Sequence, residues 1–256
     1  MISKQYTTIV LAVITFVAFI ILFAFISPIQ QDESYHHFAD TTCLIQINNF
    51  WNVVSNIGFI FTGLYGFAII NKYQINTAIN YVLFAGIILT GIGSAYYHYA
   101  PNNTTLVWDR LPMTIVFTTF FAQLYSWYIS NKTGKIIWIS SLVLGIISVF
   151  YWQYTESIHQ GDLRLYAIVQ YLPMLLLLVI LAFHYKQFPF LLHPIAMVIL
   201  FYILAKLFEH FDKTIFENTQ CIGGHPFKHI AASVASFYIV KMVEKYKQNT
   251  TGEVAY

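Results

Sequence analysis

The sequence predicts an all-α integral membrane protein: a seven-helix bundle preceded by one N-terminal transmembrane anchor. Three observations lead there. Of 256 residues, 58% are hydrophobic and 9% charged, where a soluble domain carries roughly 25% charged residues. Too little polar surface remains to face water all round. The apolar residues gather in eight long runs, each close to the ~17–25 residues that a spanning helix needs. Aromatic residues reach 18%, as suits many helix ends lying at membrane interfaces. The net charge of +2 comes from scattered basic residues, so no basic patch forms and no nucleic-acid partner is expected.

In chain order, the first run, Tyr6 to Ile26, follows Lys4. It is longer than the ~7–15 residue apolar region of a signal peptide, and no convincing small-x-small cleavage site follows. It reads as a retained anchor, residues 1–27. A polar segment, 28–49, comes next and carries Asp32, Glu33, His36, His37, Asp40 and Cys43. Seven more apolar runs, near 50–70, 79–98, 106–129, 136–152, 163–184, 191–211 and 226–243, make a core at 50–243. A polar tail, 244–256, closes the chain. No repeat period is visible, so the seven read as one bundle.

Charge sets the orientation. With the N-terminus inside, the inner loops and tail collect Lys4, Lys72, Lys132, Lys135, Lys186, Lys241, Lys245 and Lys247. The outer side collects Arg110, Arg164, Lys206, Lys213 and Lys228, several of them within helices. Lys and Arg in short loops mark the cytoplasmic side, so both termini are expected there. This orientation puts His98 at the outer end of one span, Asp109 near the outer start of the next, and His225 at the outer start of the last. Residues far apart in sequence thereby share one depth.

Those residues suit a metal. On a helix, positions i and i+4 share a face, roughly 6 Å apart along the axis, so His225 and His229 can offer imidazole nitrogens to one ion. Pro226 is compatible with this, because the first helical turn needs no N–H from it. His98 can add a third nitrogen. Three protein ligands and an open fourth position are the pattern of a catalytic zinc site. Ser94 lies one turn deeper on the face of His98. The plain alternatives are helix capping, headgroup-level histidines, an Asp109–Arg110 ion pair and a serine that only lets helices approach. Ionisable residues inside spans are costly, however, and point to function. Glu209, His210 and Asp212 face outward at the same depth and are candidate partners for ligand histidines. His36 and His37 lie in a loop and read as exposed. Cys43 and Cys221 both fall in outer segments, where they could pair or stay free.

At these residues the sequence resembles the alkaline ceramidase family, within the wider superfamily of adiponectin-receptor-like proteins. The matching pieces are Phe50-Trp51-Asn52-Val53-Val54-Ser55-Asn56, Gly91-Ile92-Gly93-Ser94 with His98, Asp109 before Leu111-Pro112-Met113, and His225-x-x-x-His229. The resemblance implies zinc on His98, His225 and His229, catalysis by Ser94 and Asp109, and hydrolysis of the N-acyl amide of ceramide-like lipids. It therefore implies a zinc-dependent amide hydrolase with a membrane lipid as its partner. Two departures matter. Eukaryotic members have a glutamate directly before the Phe-Trp-Asn motif, within a calcium site; here Asn49 stands there, and Asp32, Glu33 and Asp40 are spaced differently, which weighs against calcium control. The extra first span fits a bacterial-type member in the inner membrane, with its site towards the outer face. The competing expectation is a lipid receptor or sensor on the same fold, without turnover.

Overall fold

The computed structural model describes residues 2–251. Ten α-helices carry the described chain: α1 (Lys4–Phe25), α2 (Phe50–Val54), α3 (Ile57–Tyr73), α4 (Ala78–Tyr99), α5 (Asn103–Tyr128), α6 (Asn131–Ser157), α7 (Arg164–His184), α8 (Leu192–His210), α9 (Asp212–Thr219) and α10 (Gly224–Thr251). Among the described residues there is no β-strand, only an isolated bridge between Leu44 and Ile47. Six helical segments are long and apolar enough to cross a membrane: Lys4–Phe25, Phe50–Tyr73, Ala78–Tyr99, Asn131–Ser157, Arg164–Gln187 and Pro189–His210. The other two expected spans, α5 and α10, have the length, at 26 and 28 residues. They are not among the six, and their sequences hold the reason. Asp109, Arg110 and five threonines dilute α5, and α10 runs on into the polar stretch from Lys241.

The chain divides into two compact units. The first holds the residues up to Asp32 together with Met113–Pro189. Here α1 starts at Ser3, whose hydroxyl accepts the Tyr6 N–H at 3.1 Å and satisfies one of the unpaired first-turn donors. Along α1 only Thr7 and Leu11 are buried, while Ile9, Val13, Phe16, Val17 and Ile20 are exposed. That surface has no aqueous rationale and suits hydrocarbon. His184, at the end of α7, is buried against α1, 2.8 Å from the Thr7 hydroxyl. The turn into α7 is locked by Arg164, which donates twice to Asp162, at 2.9 and 2.8 Å, while the Tyr151 hydroxyl adds a third bond. Burial opposes ionisation of Asp162, but these bonds outweigh it and hold the carboxyl below its usual range.

The second unit holds Glu33–Pro112 and the residues from Phe190 onward. It contains α2, α3, α4, the first ten residues of α5, α8, α9 and α10. Helix α10 packs against α8 and α3, α3 packs against α4, and the short α2 touches both α4 and α10. Where one span was expected from residue 50, the backbone breaks between α2 and α3. Local side chains supply the cause. The Asn56 amide donates to the Asn52 carbonyl at 2.8 Å and the Ser55 hydroxyl to the same carbonyl at 3.3 Å, competing with the helical ladder.

At Gly93 a methyl group would overlap the Trp108 carbonyl oxygen. The backbones of α4 and α5 touch there, as only a glycine permits. The next residue on each helix is Ser94 and Asp109, so this contact brings those two side chains together. The helical part of the expected tail, from Glu244, is a continuation of α10: Lys241 pairs with Glu244 at 2.5 Å, and the Tyr73 hydroxyl donates to Glu244 at 3.2 Å. The last part of that tail, 252–256, lies outside the described residues.

Candidate metal centre

Three imidazoles meet inside the second unit. His98 closes α4, and His225 and His229 open α10 one turn apart. They are only 1%, 5% and 3% exposed. Ring centroids lie 4.8 Å apart for His98–His225, 4.7 Å for His98–His229 and 5.0 Å for His225–His229. One ring nitrogen from each falls within 4.8 Å of the others, an arrangement that could hold a metal ion.

The surrounding residues hold the three histidines by backbone and by ring. The N-terminus of α10 is capped by Asp212, whose Oδ1 accepts the His225 backbone N–H at 2.8 Å, and whose Oδ2 accepts from Ala39 at 3.2 Å. One carboxylate thus joins the helix start to the loop before α2. The His229 ring bonds the Asn52 backbone, and its Nδ1 lies 2.8 Å from the Ser55 hydroxyl. In the tautomer with its proton on Nδ1, His229 would direct the Nε2 lone pair to the centre. The Asn49 side-chain amide donates to the His98 carbonyl at 2.9 Å, from a left-handed backbone with φ of 50°. Among the described residues His98 Nδ1 has no hydrogen-bond partner; its ring lies against the tilted rings of Phe38 at 4.6 Å and Tyr97 at 4.8 Å. Phe38 also covers His225, at 4.9 Å.

The family model described as Ceramidase matches residues 39–254, which include all three histidines, Ser94 and Asp109. The chain belongs to the ceramidase family. No curated protein matches this ceramidase-family chain. The matched region begins at the loop that Asp212 pins and omits α1.

The histidine set of this ceramidase-family member fits a zinc-sized ion. His98 Nε2 and His229 Nε2 stand 3.1 Å apart. Two nitrogens at 2.0–2.1 Å from a tetrahedral zinc are separated by roughly 3.3 Å, so that pair needs little movement. All three donors are neutral-capable imidazoles, and the site lacks the carboxylate ring that a hard cation prefers.

Beside the histidines lie Ser94 and Asp109, both buried and hydrogen-bonded to each other. The three candidate outer partners separate. Glu209 accepts from Lys206 at 2.7 Å and from Lys228 at 2.5 Å, and Lys228 Nζ stands 3.4 Å from His225 Nε2. Glu209 thus reaches the centre through Lys228. Asp212 grips backbone N–H groups and not a histidine ring. His210 is exposed, against the Phe211 ring at 4.8 Å. Cys43 and Cys221 are two free, exposed thiols. His36, expected to be exposed, is half-buried, with Nδ1 2.9 Å from the Tyr97 hydroxyl and Nε2 3.0 Å from Asn103 Oδ1. It closes one side of a polar cleft of about 640 Å³ with Glu33, His37, Asn49 and Asn102.

Sequence reading missed Phe38, Asn52, Ser55 and Lys228 as parts of the centre. The Phe-Trp-Asn-Val-Val-Ser-Asn stretch was visible as a motif, and the structure gives it a physical role: two of its residues hold His229.

Proposed function

We propose that this chain is an intramembrane zinc-dependent amidase that hydrolyses the N-acyl bond of ceramide-like sphingolipids to a fatty acid and a sphingoid base. The observation that carries this reading is the buried triad of His98, His225 and His229 beside a hydrogen-bonded Ser94–Asp109 pair, in a ceramidase-family chain. The three histidines would hold zinc, which supplies Lewis acidity towards a carbonyl and a water that ionises near neutral pH. Asp109 accepts the proton that water gives up on adding to the amide carbon. Once Asp109 carries that proton, it can donate to the Ser94 oxygen, and Ser94 turns its single hydroxyl proton to the acyl oxygen as charge gathers there. The same carboxyl then returns its proton to the leaving nitrogen. Asn52 and Ser55 keep His229 in one tautomer, and Phe38 keeps water off two of the rings.

In the same reading α5 and α10 also cross the bilayer. That makes α1 an anchor (1–27), followed by an outer segment (28–49), a seven-span core (50–243) and a cytoplasmic end (244–256). Both termini are cytoplasmic in a bacterial inner membrane, and the site faces outward. A lipid can then present its amide while its tails stay in hydrocarbon.

The deciding experiment is release of fatty acid by detergent-purified, zinc-loaded protein from a panel of N-acylated sphingoid bases. Turnover is expected. Lipid binding with no release across the panel would leave the receptor reading in its place. Orientation is read separately. Cys43 and Cys221 are expected to react with a membrane-impermeant maleimide in spheroplasts. Lys132→Cys and Lys186→Cys, made in a Cys43→Ser/Cys221→Ser background, are expected to stay protected. The reverse pattern would put the site on the cytoplasmic face.

A further inference from the structure

Lys228 has no place in the chemistry described so far, yet it lies among the residues that do. It is the residue before His229, and its side chain is 17% exposed. A buried ammonium is costly unless paired. Glu209 provides the pair at 2.5 Å and is itself held on its other oxygen by Lys206 at 2.7 Å. The second contact of Lys228 is His225 Nε2, at 3.4 Å. Asp109 and Tyr35 lie within electrostatic reach.

An ammonium carries three donors and no acceptor. Glu209 accepts one; a His225 ring that binds a metal carries the metal on one nitrogen and a proton on the other and accepts none, so N–H donors remain for a further acceptor. Those donors belong to a cation fixed beside a prospective metal ligand and near the proton acceptor Asp109. A neutral amide becomes an anion on this reaction path. Water oxygen bonds to the carbonyl carbon, the carbon–nitrogen bond breaks, the nitrogen leaves with a proton, and the acyl carbon ends as a carboxylate. The group that gains charge throughout is the acyl oxygen.

We propose that Lys228, anchored by Glu209, is a catalytic residue whose remaining N–H donors hold the acyl oxygen of the lipid, first as it becomes an oxyanion and then as the fatty-acid carboxylate. This rests on the amidase reading for its first half, while carboxylate binding can be tested without turnover. A fixed ammonium in a water-poor site suits this task because it need not reorganise as charge develops. The bland alternative is that Lys228 only neutralises Glu209 and steadies His225.

The test compares full-length wild type with Lys228→Met, measuring bound zinc, hydrolysis of an N-acyl sphingoid base, and calorimetric affinity for dodecanoate. Lys228→Met is expected to keep one zinc per chain, to lose about 10²–10³ in rate as single oxyanion donors do, and to bind dodecanoate about tenfold or more weakly, as for a lost charge-assisted bond. Lys228→Arg is expected to recover part of both. Wild-type rate and dodecanoate affinity in Lys228→Met would overturn the proposal. So would loss of zinc in that variant, since the lysine would then be supporting His225. If Lys228→Met does not fold, Lys228→Gln, which can still pair with Glu209, carries the same expectations. A wild type that hydrolyses no N-acyl lipid sinks the amidase reading, yet the dodecanoate comparison still decides whether Lys228 holds a carboxylate.

Discussion

His229→Ala is expected to remove the metal and with it all measurable hydrolysis. The residue stands at the centre of the triad, with Nε2 facing His98 at 3.1 Å and Nδ1 anchored on the α2–α3 break. Alanine deletes one of three nitrogens and leaves Ser55 without its ring partner. Loss of an outer partner alone costs 10–100-fold in metal affinity, so loss of the ligand should cost more. Zinc measured on purified protein should fall from about one per chain to near none. The rate should fall beyond the roughly 10⁴-fold that a general base alone can supply. Ser55→Ala provides the graded control: weaker zinc by about 10–100-fold, with turnover restored when zinc is added in excess. A His229→Ala protein that keeps stoichiometric zinc would take this residue out of the ligand set. Helical circular dichroism like that of wild type would exclude unfolding as the cause of metal loss.

Asp109→Asn should separate metal holding from proton transfer. The amide has the size of the carboxyl and can still bond the Ser94 hydroxyl, so the Gly93–Trp108 contact and the histidines have no reason to move. What the amide cannot do is accept a proton. We expect zinc and lipid binding as in wild type, with hydrolysis lower by about 10²–10⁴. Ser94→Ala should lose about 10²–10³ by forfeiting one donor to the acyl oxygen. An Asp109→Asn enzyme as active as wild type would end the base assignment and leave the triad standing.

Much of the centre could be read from the sequence because it obeys simple periods. His225 and His229 are one turn apart on a single helix, and lysine placement in short loops gave the expectation that His98 and Asp109 lie at the same end as His225. The parts that stayed hidden obey no period. Asn52 and Ser55 act by interrupting a helix that hydropathy carries straight through, since residues 50–70 keep their apolar run across the break. Phe38 comes from a loop, where nothing local says which ring it will cover. Lys228 was legible as a charge and counted as one, but its pairing with Glu209, nineteen residues away, depends on how α8 and α10 pack. Asp212 shows the opposite error. A carboxylate at the right depth suggested a partner for a histidine ring, and it caps the helix that carries the histidine. Helix α10 continues beyond the apolar run, with Lys241 and Tyr73 both bonded to Glu244.

The distance along the chain between the two facing histidines has a temporal meaning. His98 and His229 are 131 residues apart. At a synthesis rate of about 5–20 residues per second, the second follows the first by roughly 7–26 s. Until His225, four residues before His229, a growing chain has one imidazole of the three, and until His229 it can have no three-nitrogen metal site. The Ser94–Asp109 pair, only fifteen residues apart, can form long before. On the proposed function, the Ser94–Asp109 pair would thus be made long before the metal site could close, and hydrolytic competence would wait for α10. A half-built chain would then stay inert towards the lipid around it.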